Sequence, residues 1–127
     1  AGLVVIYDIC IWYYLHLTRD EQRGLVLKLA MNADGAYSEF PDGVRDLGAG
    51  PVDLAFDLDG AALRPRWRQG DGAWQRLLDW DLDATRLSDE FGTGWHFTGA
   101  FIGLCCQDLS GRRLPADFDH LTWREAR

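Results

Sequence analysis

The residues best placed for chemistry are aromatics set among glycines. In the stretch Phe91-Gly92-Thr93-Gly94-Trp95-His96-Phe97, three ring-bearing residues follow two glycines in quick succession. Glycine opens backbone conformations closed to other residues, so such a loop projects its rings outward, where they need a partner. A second aromatic group lies at Trp12, Tyr13, Tyr14 and His16. Alternation along a strand places Trp12, Tyr14 and His16 on one face and Tyr13, Leu15 and Leu17 on the other. Flat amphipathic rings stack on sugar rings or fill the space between two sheets, and packing between sheets is the preferred reading for Trp12 and Tyr14. His16, with no metal-ligand set nearby, reads as a hydrogen-bonded neutral imidazole.

Carboxylates form the other suggestive pattern. Asp79, Asp81 and Asp83, with Glu90 at the twelfth position from Asp79, reproduce the spacing of a calcium loop. That loop needs glycine at its sixth position, where this chain has Ala84, and LDATRLSDEF resembles instead the short turn after a strand in a family of β-sandwich domains, which implies that Ser88 and Asp89 hold backbone N–H groups. Arg64, Arg66 and Arg68 alternate with Leu63, Pro65 and Trp67, and they read as a solvated face or, as the lesser alternative, a docking surface.

Elements that would position these groups are strands. Residues 2–7 are apolar throughout, residues 12–17 alternate, and residues 25–31 set Leu25, Leu27, Leu29 and Met31 against Val26 and Lys28. Turn signals fill residues 32–51 around a short extension at 36–40. Residues 52–58 alternate Val52, Leu54, Phe56 and Leu58 with acids, the mark of a strand with one wet face; a turn at Asp59-Gly60 leads into residues 61–68. Pro65 cannot donate to a ladder and predicts an edge or a bulge there. Residues 74–78 look like strand, residues 99–106 predict a strand packed tightly against another sheet, and residues 116–124 predict a closing strand. The expected core is Leu3, Val5, Tyr13, Leu15, Leu54, Phe56, Leu58, Phe101, Leu104 and Phe118.

The chain has 127 residues, 47% of them hydrophobic, which suits one globular core and leaves no room for a second domain. A formal charge of −7 provides no basic stripe for a phosphate backbone and argues against nucleic acid, while neutral sugars remain compatible. No apolar run approaches the ~20 residues that span a bilayer, so no membrane partner is expected. Three cysteines, two of them adjacent at Cys105 and Cys106, make no disulfide framework and read as buried thiols of a reducing, cytoplasmic compartment.

Two segments carry a family resemblance: LDATRLSDEF, and FTGAFIGLCCQDLSGRRLPADFD. With AGLVVIYD, WYYLHLTRDE and WRQGDGAW upstream, nearly the whole chain resembles the C-terminal β-sandwich domain of glycoside hydrolase family 43 enzymes of the β-xylosidase and α-L-arabinofuranosidase type. The resemblance implies an all-β, antiparallel, jelly-roll-like sandwich of the concanavalin A type. It also implies an N-terminally truncated accessory domain over residues 1–127, whose catalytic five-bladed propeller lies outside this chain. Glycoside cleavage needs two carboxylates flanking the bond. Asp89, Glu90, Asp108, Asp117 and Asp119 sit in turns or at strand ends, read as solvated or capping acids, and receive no catalytic role; no metal and no cofactor is expected.

The partners implied are the propeller of the same enzyme and a xylo-oligosaccharide. The sandwich would narrow the mouth of the propeller's pocket, with Phe97 first, and Trp95 and His96 beside it, as residues that meet the substrate. Phe97 reads equally as the first core residue of its strand. Two alternatives stay open: a free-standing, lectin-like sugar-binding module, and a structural domain that stabilises the propeller or builds a homo-oligomer.

Overall fold

The computed structural model describes residues 1–94 and 97–125. Among the described residues ten strands form two antiparallel sheets. The first sheet runs β10 (Phe101–Cys105), β1 (Gly2–Asp8), β2 (Ile11–Asp20), β3 (Gly24–Ala33) and β4 (Ala36–Glu39), with β5 (Arg45–Asp46) also on β3. β4 and β5 share one edge of β3, because a 3-10 turn at Pro41–Gly43 interrupts the chain between them. Backbone bonds from Phe40 N to Leu29 O (3.0 Å) and from Leu47 N to Leu25 O (3.0 Å) carry the ladder across that break.

The second sheet pairs β6 (Val52–Asp59) with β7 (Ala62–Gln69), and β8 (Gln75–Arg76) and β9 (Leu82–Asp83) share the far edge of β7. Pro65 therefore lies in the middle strand of its sheet, not on an edge. Its carbonyl accepts from Leu77 N at 3.0 Å, so its nitrogen faces the stretch where the partner strand is interrupted between β8 and β9. A missing N–H costs nothing where no acceptor stands opposite.

Alternation then sorts the layers. Val5, Tyr13, Leu15, Leu27 and Leu29 from the first sheet meet Leu63, Leu77, Leu78 and Leu82 from the second, with Leu54, Phe56 and Trp67 half-buried around them. Polar bonds tie the layers as well: Tyr13 Oη donates to the Asp83 carbonyl at 2.8 Å, and Arg45 donates to the Asp42, Val44 and Leu77 carbonyls at 2.6–2.8 Å. On the outer face of the second sheet, Arg68 meets Asp53 at 2.6 Å, Arg66 donates to Asp57 at 2.8 Å and Arg64 donates to Asp81 at 3.0 Å. The arginines thus form a solvated ladder, as their spacing predicts.

Four expected core residues are exposed instead: Leu58, Phe101, Leu104 and Phe118. Leu104 pairs with Leu3 on the inward face of the edge strand β10, beyond the reach of the narrower second sheet. The strand expected at residues 116–124 does not form, and nearly all of that segment is exposed. Residues 74–78 supply only the two-residue β8. The cysteines are free, but Cys106 is exposed and Cys10 and Cys105 are half-buried, so they are not the buried thiols expected. Among the described residues no helix is long and apolar enough to cross a membrane.

Candidate functional site

One end of the sandwich gathers the β1–β2 turn, the β3–β4 turn and the loop that leads to β10. Three bonds hold the loop there. Thr93 N donates to Asp34 Oδ2 at 3.2 Å, Thr98 Oγ1 donates to the Tyr7 carbonyl at 3.0 Å, and Tyr7 Oη donates to Asp89. Asp34 sits at φ 54° and Gly35 at φ 89° in the β3–β4 turn, where Asn32 Oδ1 accepts from Gly35 N at 2.7 Å. Gly99, at φ 73°, turns the chain into β10.

Between these anchors Phe97 is 78% exposed, and Ile9 in the β1–β2 turn is 85% exposed. Phe97 is therefore not the first core residue of its strand. An exposed phenyl ring on a tethered loop presents an apolar tip to solvent. Trp95 and His96 lie outside the described residues. Tyr7, by contrast, is 3% exposed, and its bond to Asp89 escaped sequence reasoning because the two are far apart in the chain.

A second apolar feature lies along the flank. An open hollow of about 220 Å³ is lined by Val5, Phe56 and Ile102 inside and by Leu58, Phe101 and Trp123 at its rim. Leu58, Phe101 and Trp123 are 58%, 62% and 71% exposed, a larger apolar patch than isolated surface residues make.

The carboxylates are committed elsewhere. Asp81 takes Arg64 and Arg76 (2.8 Å), which hold its carboxyl below the usual range. Asp83 accepts from Thr85 N (2.9 Å) and Thr85 Oγ1 (2.5 Å) and caps the short turn Ala84–Arg86, again with a lowered pKa. Among the described residues the Ser88 and Asp89 side chains do not hold backbone N–H groups as expected. Ser88 Oγ donates to the Thr85 carbonyl at 2.6 Å, and Asp89 takes the Tyr7 hydroxyl. Asp108 accepts from Ser110 N and Oγ and from Leu114 N, closing a turn. Among the described residues no cluster of three His, Cys, Asp or Glu side chains could hold a metal ion.

The aromatics of β2 face both ways. Tyr13 and Leu15 enter the core, whereas Trp12, Tyr14 and His16 lie on the outer face of the first sheet, so Trp12 and Tyr14 do not pack between sheets. Tyr14 and His16 stack at 4.3 Å and 11°, and His16 Nδ1 lies 3.3 Å from the Tyr14 carbonyl. Burial, first of all, lowers the His16 pKa below 6.5; the Tyr14 carbonyl opposes the shift. The unfolded chain then binds the proton more readily, so His16 contributes stability above about pH 6.5 that falls away on acidification through the folded value. Melting temperature should drop as the pH falls below about 6.5, before the paired carboxylates begin to protonate, and His16→Gln should flatten that slope. An unchanged slope in the variant would remove His16 from this account.

Comparison with known proteins agrees with the architecture. Residues 1–124 match the family described as the β-xylosidase C-terminal concanavalin A-like domain. The chain is 31% identical to the β-xylosidase of Bacillus subtilis over 98% of its own length and 24% of that protein. It is 33% identical to xylosidase/arabinosidase 43B of Humicola insolens over 98% of itself and 24% of that protein. Among solved structures, the xylan β-1,4-xylosidase of Bacillus halodurans C-125 superposes with a TM-score of 0.81 at 32% identity, covering 87% of this chain and 22% of that one. The chain thus spans about a quarter of the length of these relatives. The two antiparallel sheets, the register that joins β10 to β1 and the family match together place this chain in the C-terminal concanavalin A-like domain family of glycoside hydrolase family 43 β-xylosidases.

Proposed function

We propose that this domain packs on the catalytic propeller of a xylan-degrading glycosidase and helps close its pocket around short xylo-oligosaccharides. The exposure of Phe97 on a loop tethered at Thr93 and Thr98 carries the reading: an apolar ring held in solvent gains free energy when it is covered. The apolar hollow rimmed by Leu58 and Trp123 supplies a surface for the propeller, distinct from the loop tip. In this arrangement Phe97 would line the outer subsite, exclude water and orient the terminal sugar, with Trp95 and His96 next to it. The hydrolytic carboxylates would come from the propeller. A cytoplasmic setting, resting on three unpaired thiols, belongs to the same proposal.

Phe97→Ala in the full-length natural polypeptide tests it. Because Phe97 contributes little to the core, Tm should stay within about 2 °C. kcat/KM for xylobiose should fall about tenfold, the equivalent of about 1.4 kcal/mol of transition-state binding. Wild-type kcat/KM in that variant would sink pocket closure by Phe97.

A further inference from the structure

We infer that the outer face of the first sheet is a separate binding platform for an extended neutral oligosaccharide, built on Trp12 and Tyr37. Register places Ile6, Trp12, Asn32 and Tyr37 in one row across β1, β2, β3 and β4. The Trp12 and Tyr37 rings meet at 6.0 Å with 58° between their planes. Trp12 is fixed before any ligand arrives. Its Nε1 donates to the Ile9 carbonyl at 3.1 Å, and Tyr14 abuts it edge-on at 6.4 Å. Tyr37 is 58% exposed, and Trp12 is half-buried with one side toward solvent.

Polar groups border the rings. Tyr37 Oη donates to Glu39 Oε1 at 2.9 Å, Lys28 Nζ lies 3.8 Å from Glu39 Oε2, and the Asn32 carboxamide oxygen is taken by Gly35 N, which leaves its NH2 as donor. Lys28 and Glu39 pair with one another beside the rings. Stacking rings flanked by neutral donors and acceptors are the chemistry that recognises a pyranose: the apolar C–H face lies on the ring and the equatorial hydroxyls bond at its rim. Two tilted planes side by side suit successive sugars that are rotated against one another along a chain. Trp74 on the opposite sheet offers a contrast, because Arg66 and Arg68 already cover it at 4.9 and 4.7 Å.

Trp12 and Tyr37 carry this platform without a contribution from Phe97; only the choice of a xylan probe rests on the proposed function. Native affinity electrophoresis of the full-length natural polypeptide, in gels cast with soluble arabinoxylan or with mixed-linkage β-glucan, tests it. Retardation is expected in at least one of the two gels, with apparent affinity about tenfold weaker in Trp12→Ala and in Tyr37→Ala and unchanged in Trp74→Ala. Tyr37 stands on the short β4 at the sheet edge, so that variant keeps the test valid if Trp12→Ala fails to fold. Equal retardation of all variants, or a loss in Phe97→Ala that Tyr37→Ala does not share, would assign retention to the pocket and overturn the platform. Free migration of the wild type in both gels would overturn it too, while xylobiose turnover reports separately on pocket closure.

Discussion

Leu29→Ala is expected to lower the free energy of unfolding by about 2–5 kcal/mol. Leu29 is fully buried at the centre of the first sheet, opposite Leu15 on β2. Its surroundings are poorly able to collapse into the space it would leave. Its strand is laddered on both sides, its carbonyl accepts from Phe40 N, and the 3-10 turn that closes over it already brings Gly43 so near that a Cβ there would lie 3.1 Å from Leu29 Cβ. A cavity that cannot relax retains its full cost. Leu25 on the same strand and the same parity is 38% exposed, so Leu25→Ala should cost under about 1 kcal/mol. Urea unfolding monitored by tryptophan fluorescence, with m-values unchanged, gives both numbers. Equal losses would mean that the two sheets are not packed as described.

Gly2→Ala is the second large effect. A Cβ on Gly2 would stand 2.1 Å from the Leu15 carbonyl oxygen and 2.6 Å from His16 Cα, both backbone atoms of β2. β2 cannot retreat, because β3 pairs with it along its whole length. The start of β1 must peel away instead, breaking the reciprocal bonds between Ala1 and Leu17 (2.8 and 3.0 Å) and opening the pairing with Cys105. A loss of about 1–3 kcal/mol is expected, together with faster amide exchange at Leu17. Gly103 lies on the neighbouring β10 with nothing within 4 Å of its would-be Cβ, so Gly103→Ala should be close to neutral. Retained protection at Leu17 in Gly2→Ala would refute the steric argument.

These contrasts also show where sequence reading succeeds. Residues 12–17, 25–31 and 52–58 carry strong periods and residues 2–7 form a continuous apolar run, and these stretches reappear as β2, β3, β6 and β1, each extended by a residue or more. The grouping of Tyr13, Leu15 and Leu17 against Trp12, Tyr14 and His16 is also correct, since the parity of a strand is a local property of the backbone. What parity leaves open is which group is covered. Trp12 and Tyr14 were expected between the sheets, and they lie outside, because the second sheet settles on the Leu15 side. Leu104 fails for a related reason: it has the correct parity for the core but stands on an edge strand that the second sheet does not reach.

The loop shows the same division. Glycines around the aromatic stretch announce a projecting segment, but its anchors, Asp34 to Thr93 and Tyr7 to Thr98, join residues 59 and 91 positions apart. Alternation on its own was enough to establish most strand positions and the side-chain faces, and the resemblance carried by the motifs gave the all-β class and the family, since these depend on neighbours in sequence. Tertiary structure alone decided that Phe97 stands in solvent, that β7 is central despite Pro65 and that residues 116–124 form no strand. Exposure and strand pairing are relations between distant segments, and a strand's own residues carry no record of how far the opposing sheet extends.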